Sequence, residues 1–305
     1  MTALVFPGQG SQAVGMAADA LAASPLAADL FAQADAALAD SGLPRPLSQL
    51  CAEGPEAELR ATEIAQPALL AAGYIYYRLA ADRIAAPGCA AGHSLGEYTA
   101  LVAAEVLDFT TALRLVRRRG ELMRDAAATQ PGTMAAIIGL DDDVVEALCA
   151  AAPDVAVPAN FNSPGQVVVS GSAAGVAAVV AEAKAAGGRA MPLRVAGAFH
   201  SPLMADAAAQ MADELARVEL RPAQLPVVQN VTAQATTDPD ALRAGLTAQI
   251  TGSVRWTQSV RAMLTLGVTR QVECGPGTVL TGLARRIDPD LVAVAVNSVE
   301  AVDQL

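Results

Sequence analysis

The chain has 305 residues, of which 53% are hydrophobic and 17% are charged, and its net charge is −11. This composition supplies a sizeable core and excludes a disordered chain, while the length favours two domains or one large domain with an insert. The acidic balance and the lack of a basic tract argue against nucleic-acid binding. Apolar runs such as ALLAAGYIYY fall short of the ~18–20 residues of a membrane span, so we expect no membrane insertion.

Several reactive residue types are scarce, which limits the kinds of catalysis that the chain can perform. No basic residue precedes Arg45, so we expect no secretory signal and a cytoplasmic location. The four cysteines are isolated, which argues against a zinc site or a disulfide framework. Lys184 is the only lysine, so Schiff-base and P-loop chemistry have almost nothing to use. An imidazole base must be His93 or His200, since there is no other histidine.

The first third of the chain is predicted to be a strand followed by helices. An apolar strand, TALVF, ends in the loop PGQGSQ, where glycines let the backbone approach a ligand closely. A helix is predicted from Ser24-Pro25 to Gly42, and another from about Gln66-Pro67 to Ile84. Residues 89–107 then have the order strand, tight turn, helix.

The segment 129–197 has a different pattern, in the order strand, helix, strand, strand, helix, strand. This βαββαβ series predicts a small ferredoxin-like sheet domain. Strand and helix patterns resume afterwards, with the runs PVVQNV, VRWTQSVRAMLTLG, TRQVEC and LVAVAV. We therefore predict that the small domain is inserted into a larger α/β domain formed by residues 1–128 and 198–305.

Gly92-His93-Ser94-Leu95-Gly96 matches Gly-x-Ser-x-Gly, the pattern of a nucleophile elbow. The glycines let a strand turn sharply into a helix, so that the Ser94 hydroxyl projects at the bend. Free N–H groups at the helix start, including that of Leu95, can then bind a developing oxyanion. A glycine-rich turn with a solvated serine is the alternative.

His200, in the loop GAFHSP, is the better candidate for the base, because His93 is adjacent to Ser94 and is expected to point away from it. No acidic residue presents itself as the third member of a triad. Asp206 lies one or two helical turns downstream, where it could also be a surface charge. A backbone carbonyl could orient the histidine instead.

Arg119 falls on the apolar stripe of a helix that Asp108 can cap. That stripe consists of Ala112, Leu115, Val116, Arg119, Leu122 and Met123, and the opposite, solvated stripe of Arg114, Arg118, Glu121 and Asp125. A guanidinium cannot lose its proton there, so it needs an anionic partner or a path to water. The partner could be an internal carboxylate or the carboxylate of an acyl group.

Six motifs in one order, FPGQGSQ, GHSLGE, RRRGELM, NFNSPGQVVVSG, AFHSPLM and ECGPGTVL, resemble the malonyl-CoA:acyl-carrier-protein transacylase family over nearly the whole chain. The resemblance implies an α/β-hydrolase-like large domain with a ferredoxin-like insert. It also implies that Ser94 is the nucleophile, that His200 is the base and that Arg119 binds the malonyl carboxylate. By the same resemblance, Gln9 and Leu95 supply the oxyanion N–H groups.

Two further residues take roles from the resemblance alone. Gln249 sits where the family supplies a main-chain carbonyl to orient the histidine, and Phe199 precedes the histidine as in malonyl-selective relatives. A bulky side chain there should crowd an α-methyl branch, a discrimination of ~1–3 kcal/mol.

The reaction implied by the resemblance is a ping-pong transfer of malonyl from malonyl-CoA to the phosphopantetheine thiol of an acyl carrier protein, with no metal or bound cofactor. We expect a monomer, and the pathway, fatty-acid or polyketide, stays open. A serine hydrolase, esterase or thioesterase, with the same Ser/His pair is the main alternative, although it gives Arg119 no task. A non-enzymatic docking subunit is a third, which the presence of Ser94, His200 and Arg119 together argues against.

Overall fold

The computed structural model describes residues 1–305. Its ten strands are β1 (Thr2–Phe6), β2 (Pro87–Gly92), β3 (Thr133–Ile138), β4 (Ala156–Ser163), β5 (Gln166–Gly171), β6 (Arg189–Pro192), β7 (Val227–Val228), β8 (Ala235–Thr236), β9 (Arg270–Cys274) and β10 (Val292–Val296). Its fourteen α-helices are α1 (Ala18–Ala23), α2 (Pro25–Ala37), α3 (Leu47–Glu53), α4 (Glu56–Leu59), α5 (Thr62–Ala80), α6 (Gly96–Ala103), α7 (Phe109–Thr129), α8 (Asp142–Ala150), α9 (Ala173–Ala185), α10 (Ala205–Ala216), α11 (Pro239–Gln249), α12 (Trp256–Thr265), α13 (Val279–Ile287) and α14 (Val299–Asp303). Short 3-10 helices lie at Ala81–Arg83 and Pro202–Met204.

The larger sheet has six strands in the order β10-β9-β1-β2-β7-β8, all parallel except β8. Both of its faces are covered, as parallel sheets require. Successive side chains of β1 alternate between the two cores: Leu4 and Phe6 pack towards α5, α6 and α7, while Ala3 and Val5 pack towards α12 and α13. Because β1 and β2 are parallel neighbours, their carboxyl ends lie at the same edge of the sheet, where the loops PGQGSQ and GHSLG follow.

The smaller sheet has four antiparallel strands in the order β4-β5-β3-β6. Its elements follow the chain as β3, α8, β4, β5, α9, β6, which is the order predicted for this segment. One face packs on α8 and α9 through residues such as Ile137 and Val167. The other face turns Met134, Ala136 and Val168 into the main core. The small sheet thus forms a wall over the carboxyl edge of the large one.

The helix expected to begin near Gln66-Pro67 begins at Thr62 instead, so Pro67 lies inside α5. A proline has no N–H to donate, so the carbonyl four residues earlier, that of Glu63, loses its helical partner. Arg117 of α7 replaces it, since its Nη1 donates to Glu63 O at 2.9 Å. Gly120 lets α7 approach this close, because a Cβ there would collide with the backbone of Thr62 and Glu63. Tertiary packing therefore offsets the local cost of the proline.

Two other boundaries differ from the sequence prediction. The helix that begins after the Ser24 cap ends at Ala37 rather than at Gly42, and turns fill the interval. Within PVVQNV, only Val227 and Val228 form a strand, and the chain then turns away from the sheet at Asn230. No helix is both long and apolar enough to cross a bilayer.

Candidate active site

Ser94 lies at the sharp turn between β2, which ends at Gly92, and α6, which begins at Gly96. Its φ of 50° is in the left-handed region, an uncommon and strained conformation for a residue with a side chain. A Cβ on Gly92 would collide with the backbone of Gly96, and a Cβ on Gly96 would collide with Phe6 O. Both glycines are therefore needed for a turn this tight.

Gly92→Ala is expected to destabilise the protein, because the added methyl group pushes β2 and α6 apart. Overpacking of this kind typically costs ~1–3 kcal/mol. Gly282→Ala is the matched control, since a Cβ at that helical glycine meets no neighbouring atom. Thermal unfolding of the two variants checks the prediction. A Gly92→Ala protein as stable as the parent would show that the elbow tolerates a side chain.

His200 is placed to take the Ser94 proton. Its Nε2 lies 2.8 Å from Ser94 Oγ, and its Nδ1 lies 2.8 Å from Gln249 O and 3.1 Å from Gly252 O. Both Nδ1 neighbours are carbonyl oxygens, so Nδ1 must carry the hydrogen and the Nε2 lone pair faces the serine. Backbone carbonyls thus occupy the place of a triad acid, and Asp206 is exposed on α10 without contact to the imidazole.

Arg119 is 1% exposed on α7 and reaches the same point from the core. Its Nη1 donates to Gln66 Oε1 at 2.7 Å, and its Nη2 donates to Gln249 Oε1 at 2.9 Å and to Ser94 Oγ at 3.2 Å. It has no carboxylate oxygen within 4 Å, unlike the arginines that form ion pairs elsewhere in the chain. The Arg119 guanidinium therefore carries a full positive charge beside the serine hydroxyl and is hydrogen-bonded there only to neutral oxygens. It can bind an anion at this place.

Two backbone N–H groups at the cavity are left without a partner. Those of Gln9, in the loop after β1, and Leu95, at the start of α6, have no hydrogen-bond partner within the chain, and both residues line the cavity. Gln9 is held in place by its side chain, whose Oε1 accepts a hydrogen bond from Thr62 Oγ1 at 2.9 Å. Unpartnered N–H groups of this kind can bind an oxyanion.

The cavity has a volume of about 600 Å³ and lies between the two sheets. The small sheet contributes Met134, Asn160 and Val168 to its wall, and the elbow contributes Ser94 at its base. Phe199 is 6% exposed and also lines it. The cleft is large enough for a small-molecule substrate.

The family model described as Acyl transferase domain matches residues 3–288. A malonyl CoA-acyl carrier protein transacylase of Escherichia coli (strain K12) is 47% identical over 304 residues, which cover 98% of this chain and 97% of that protein. The chain belongs to the malonyl-CoA:acyl-carrier-protein transacylase family. A relative of the same description from Haemophilus influenzae is 44% identical and covers 97% of this chain and 95% of its own.

Solved structures of the family have the same fold as this member. An acyl carrier protein S-malonyltransferase from Vibrio cholerae O1 biovar eltor superposes with a TM-score of 0.94 at 44% identity, covering 99% of each chain. A malonyl-transacylase solved in complex with a type II polyketide-synthase acyl-carrier protein has a TM-score of 0.94 at 43% identity, covering 99% of this chain and 98% of that one. These structures establish the mixed α/β fold with two sheets.

Sequence reasoning missed three polar residues around the elbow of this family member: Gln66, Glu97 and Asn230. Asn230 Oδ1 accepts from Ser94 N at 2.7 Å, and its Nδ2 donates to Gly92 O at 2.6 Å, so one amide fixes both ends of the turn. A signal was present, since Asn230 follows an apolar strand, β7, that neighbours β2 at the ligand-binding edge. Gln66 and Glu97 lie inside helices and give no such signal.

His93 points away from Ser94 and His200, as expected from its place in the elbow. Its Nε2 lies 2.9 Å from Asn162 Oδ1, and its ring packs near Trp256. Burial lowers the pKa of His93, so the ring is neutral at pH 7.

The acylation rate at saturating malonyl-CoA is expected to stay flat from pH 8 down to about pH 5. Burial, together with the nearby Arg119 charge, lowers the pKa of His200 to about 3, so the imidazole keeps its basic form as the pH falls. Rapid-quench measurement of malonyl-enzyme formation across this range checks the prediction. A rate that halves near pH 6.5, the pKa of a free imidazole, would contradict it.

Proposed function

We propose that the protein transfers a malonyl group from malonyl-CoA to the phosphopantetheine thiol of an acyl carrier protein, through a malonyl ester on Ser94. The observation that carries this proposal is Arg119, a buried cation without an ion-pair partner whose Nη2 lies 3.2 Å from Ser94 Oγ. A buried charge of this kind requires an anion to compensate its desolvation. An acyl group that ends in a carboxylate supplies it.

In the proposed first half-reaction, Ser94 Oγ attacks the thioester carbonyl while His200 Nε2 takes the hydroxyl proton. The carbonyl oxygen becomes an oxyanion and accepts the N–H groups of Gln9 and Leu95. Its collapse breaks the carbon–sulfur bond, and His200 returns the proton to the departing thiolate. The carrier thiol then reverses these steps on the serine ester. The side chains and N–H groups supply every step, so we propose that no metal or bound cofactor is needed.

Two residues have supporting roles in this proposal. The Gln249 carbonyl accepts the Nδ1 hydrogen of His200 and holds the ring in the basic tautomer. Phe199, at the cavity wall, is proposed to crowd an α-methyl branch on the acyl group, which favours malonyl over methylmalonyl by ~1–3 kcal/mol. A serine hydrolase is the weaker alternative, because it gives the Arg119 charge no ligand and the relatives are named transacylases.

A direct competition between acyl groups tests the proposal. We expect the protein, given equal amounts of malonyl-CoA and acetyl-CoA, to form mainly the malonyl adduct on Ser94, as read by intact-protein mass spectrometry. The reason is that only malonyl brings a carboxylate to Arg119. An acetyl adduct in equal or greater amount would overturn the assignment of the substrate.

The carrier protein is proposed as the macromolecular partner, supported by the solved transacylase that holds an acyl-carrier protein. The arginines considered for docking are Arg117, Arg118, Arg285 and Arg286. Arg117 is excluded, because it is buried and its guanidinium donates to the carbonyls of Glu63 and Ser41. Arg118 pairs with Glu214. Arg285 and Arg286 are exposed on α13, and Arg286 reaches Gln166 at the cavity.

Charge reversal at Arg285 and Arg286 is expected to raise the KM for carrier protein, more at low salt, with little change in the KM for malonyl-CoA. The family resemblance implies an acidic carrier protein, and this chain has a net charge of −11, so a basic patch is needed for two negative proteins to associate. Arg270→Glu is the matched control, since β9 begins at Arg270 on the opposite edge of the sheet. Transfer kinetics at two salt concentrations check the prediction. A KM for carrier protein that changes neither with the two charge reversals nor with the salt concentration would exclude this docking site.

We further propose that residues 1–128 and 198–305 form an α/β-hydrolase-like domain and that residues 129–197 form a ferredoxin-like domain inserted into it. The antiparallel order β6-β3-β5-β4 and the series βαββαβ support the second assignment. The cytoplasmic location and the monomeric state stay predictions from the sequence.

A further inference from the structure

Glu97 is a buried carboxyl in the elbow helix α6 that no step of the proposed transfer uses. It is 1% exposed, and its Oε2 accepts from Asn230 N at 3.0 Å and from Gln249 Nε2 at 2.7 Å. Its Oε1 is buried without any hydrogen-bond partner. Burying a carboxyl in this way is costly, so its presence behind the catalytic serine calls for a physical reason.

Gln249 connects this carboxyl to Arg119. Its Nε2 donates to Glu97 Oε2, and its Oε1 accepts from Arg119 Nη2 at 2.9 Å. A carboxylate can only accept and a guanidinium can only donate, so the amide has one satisfactory orientation between them. In the flipped orientation, an NH₂ group would face the arginine and an oxygen would face the carboxylate. Glu97 therefore fixes the group that holds Arg119 in place.

Glu97 also acts on the charge of the site. It is separated from Arg119 by a single amide group, and no carboxylate oxygen comes within 4 Å of the guanidinium. We propose that Glu97 is a positioning residue that, through Gln249, orients Arg119 and sets how strongly this arginine attracts the carboxylate of the acyl group. When Glu97 is ionised, its negative charge opposes the incoming carboxylate. When Glu97 is neutral, Arg119 acts with its full charge.

The site has the means to change this charge near neutral pH. Burial raises the pKa of Glu97 to about 7, although the hydrogen bonds from Asn230 and Gln249 and the Arg119 charge lower it. A carboxyl with this pKa is mostly ionised at pH 8 and mostly neutral at pH 6. Attraction for the acyl carboxylate should therefore increase as the pH falls through 7.

The other groups that face Glu97 keep their charge over this range. Arg119, on α7, stays protonated although burial lowers its pKa. Tyr98, on α6, and His200, in a neighbouring turn, stay neutral, because burial raises the pKa of the phenol and lowers the pKa of the His200 imidazole to about 3. His93, in the elbow, has its Nε2 2.9 Å from Asn162 Oδ1, and burial lowers its pKa as well. Neither neighbouring strand adds a charge: β1 carries no titratable side chain, and Cys89 of β2 belongs to the core on the far side of the sheet. The helices α5 and α11 contribute neutral amides, which accept hydrogen bonds from Arg119.

The test, which rests on the proposed function, compares Glu97→Gln with the parent. Gln keeps an acceptor for the two hydrogen bonds and removes the charge. The probes are malonyl-pantetheine and acetyl-pantetheine thioesters, which carry no phosphate that titrates near pH 7. The measured quantity is the ratio of the KM for the acetyl thioester to the KM for the malonyl thioester. At pH 8 we expect this ratio to be about tenfold higher in the variant than in the parent, because malonyl binds more tightly without the negative charge; this corresponds to ~1.4 kcal/mol. In the parent the same ratio should rise between pH 8 and pH 6, and in the variant it should be flat.

Glu273→Gln is the matched control, because Glu273 is also fully buried but accepts from the N–H groups at the start of α13. That variant should keep the ratio and its pH trend. A Glu97→Gln protein with an unchanged ratio, or with equal losses for both thioesters, would overturn the proposal. If the variant does not fold, a parent ratio that stays flat between pH 8 and pH 6 would overturn it as well. Failure of both thioesters to acylate Ser94 in the parent would instead count against the proposed function.

Discussion

Arg119→Ala is expected to lose most malonyl transfer while accepting acetyl at least as well as the parent. Arg119 is buried beside Ser94 and has no carboxylate oxygen within 4 Å, so an acyl carboxylate is the anion that can pair with it directly. Truncating one partner of a buried charge pair costs ~2–5 kcal/mol, or roughly 30- to several-thousand-fold in rate. The acetyl reaction escapes this loss, because the unpaired charge no longer opposes an uncharged group. Transfer rates from malonyl-CoA and acetyl-CoA, together with the melting temperature, check the prediction.

Arg117→Ala provides the matched control for that experiment. Arg117 lies two residues away on α7 and is also buried, but it pairs with Glu121 at 3.0 Å and donates to the carbonyls of Glu63 and Ser41. Its loss should lower the melting temperature and reduce both acyl transfers alike. If Arg119→Ala behaves in the same way, with equal losses for malonyl and acetyl, then Arg119 is a structural arginine and does not select the acyl group.

Ser94→Ala should abolish covalent labelling by malonyl-CoA, and His200→Ala should slow labelling by on the order of 10²–10⁴-fold. The first change removes the attacking oxygen, and the second removes the acceptor of its proton, which lies 2.8 Å away. His93→Ala is the control, since this imidazole contacts Asn162 and not Ser94. Its labelling should fall far less. Mass spectrometry that finds a malonyl adduct on the Ser94→Ala protein, or equal rates for the two histidine variants, would remove the pair from the mechanism.

The sequence predicted the parts of the site that depend on local pattern. The two glycines of the elbow indicate a tight strand-to-helix turn, and the collisions of a Cβ at Gly92 or Gly96 are the reason. Arg119 was found because it interrupts an apolar stripe at helical spacing, which one helix alone is enough to show. The order of strands and helices in segment 129–197 was predicted from hydrophobic periodicity in the same way.

The sequence did not predict the amides and the acid that hold these parts together. Gln66 and the side chain of Gln249 act through hydrogen bonds to residues far away in the chain, and an amide in a helix looks like any polar residue. Asn230 also acts on a distant residue, and its place just after β7 was the one available signal. The prediction of where α5 begins was wrong for a related reason. A proline usually marks the first turn of a helix, but Pro67 is tolerated in the interior because Arg117 binds the carbonyl that it leaves free.

Isolation of the acyl-enzyme tests the central claim most directly. The protein is loaded with malonyl-CoA, freed of excess thioester, and followed by intact-protein mass spectrometry and peptide mapping. The account predicts a malonyl ester on Ser94 that persists in buffer and is discharged within seconds when a phosphopantetheinylated carrier protein is added, with malonyl appearing on the carrier thiol. A malonyl-enzyme that empties into water at the same rate with and without the carrier protein would contradict it and identify a hydrolase.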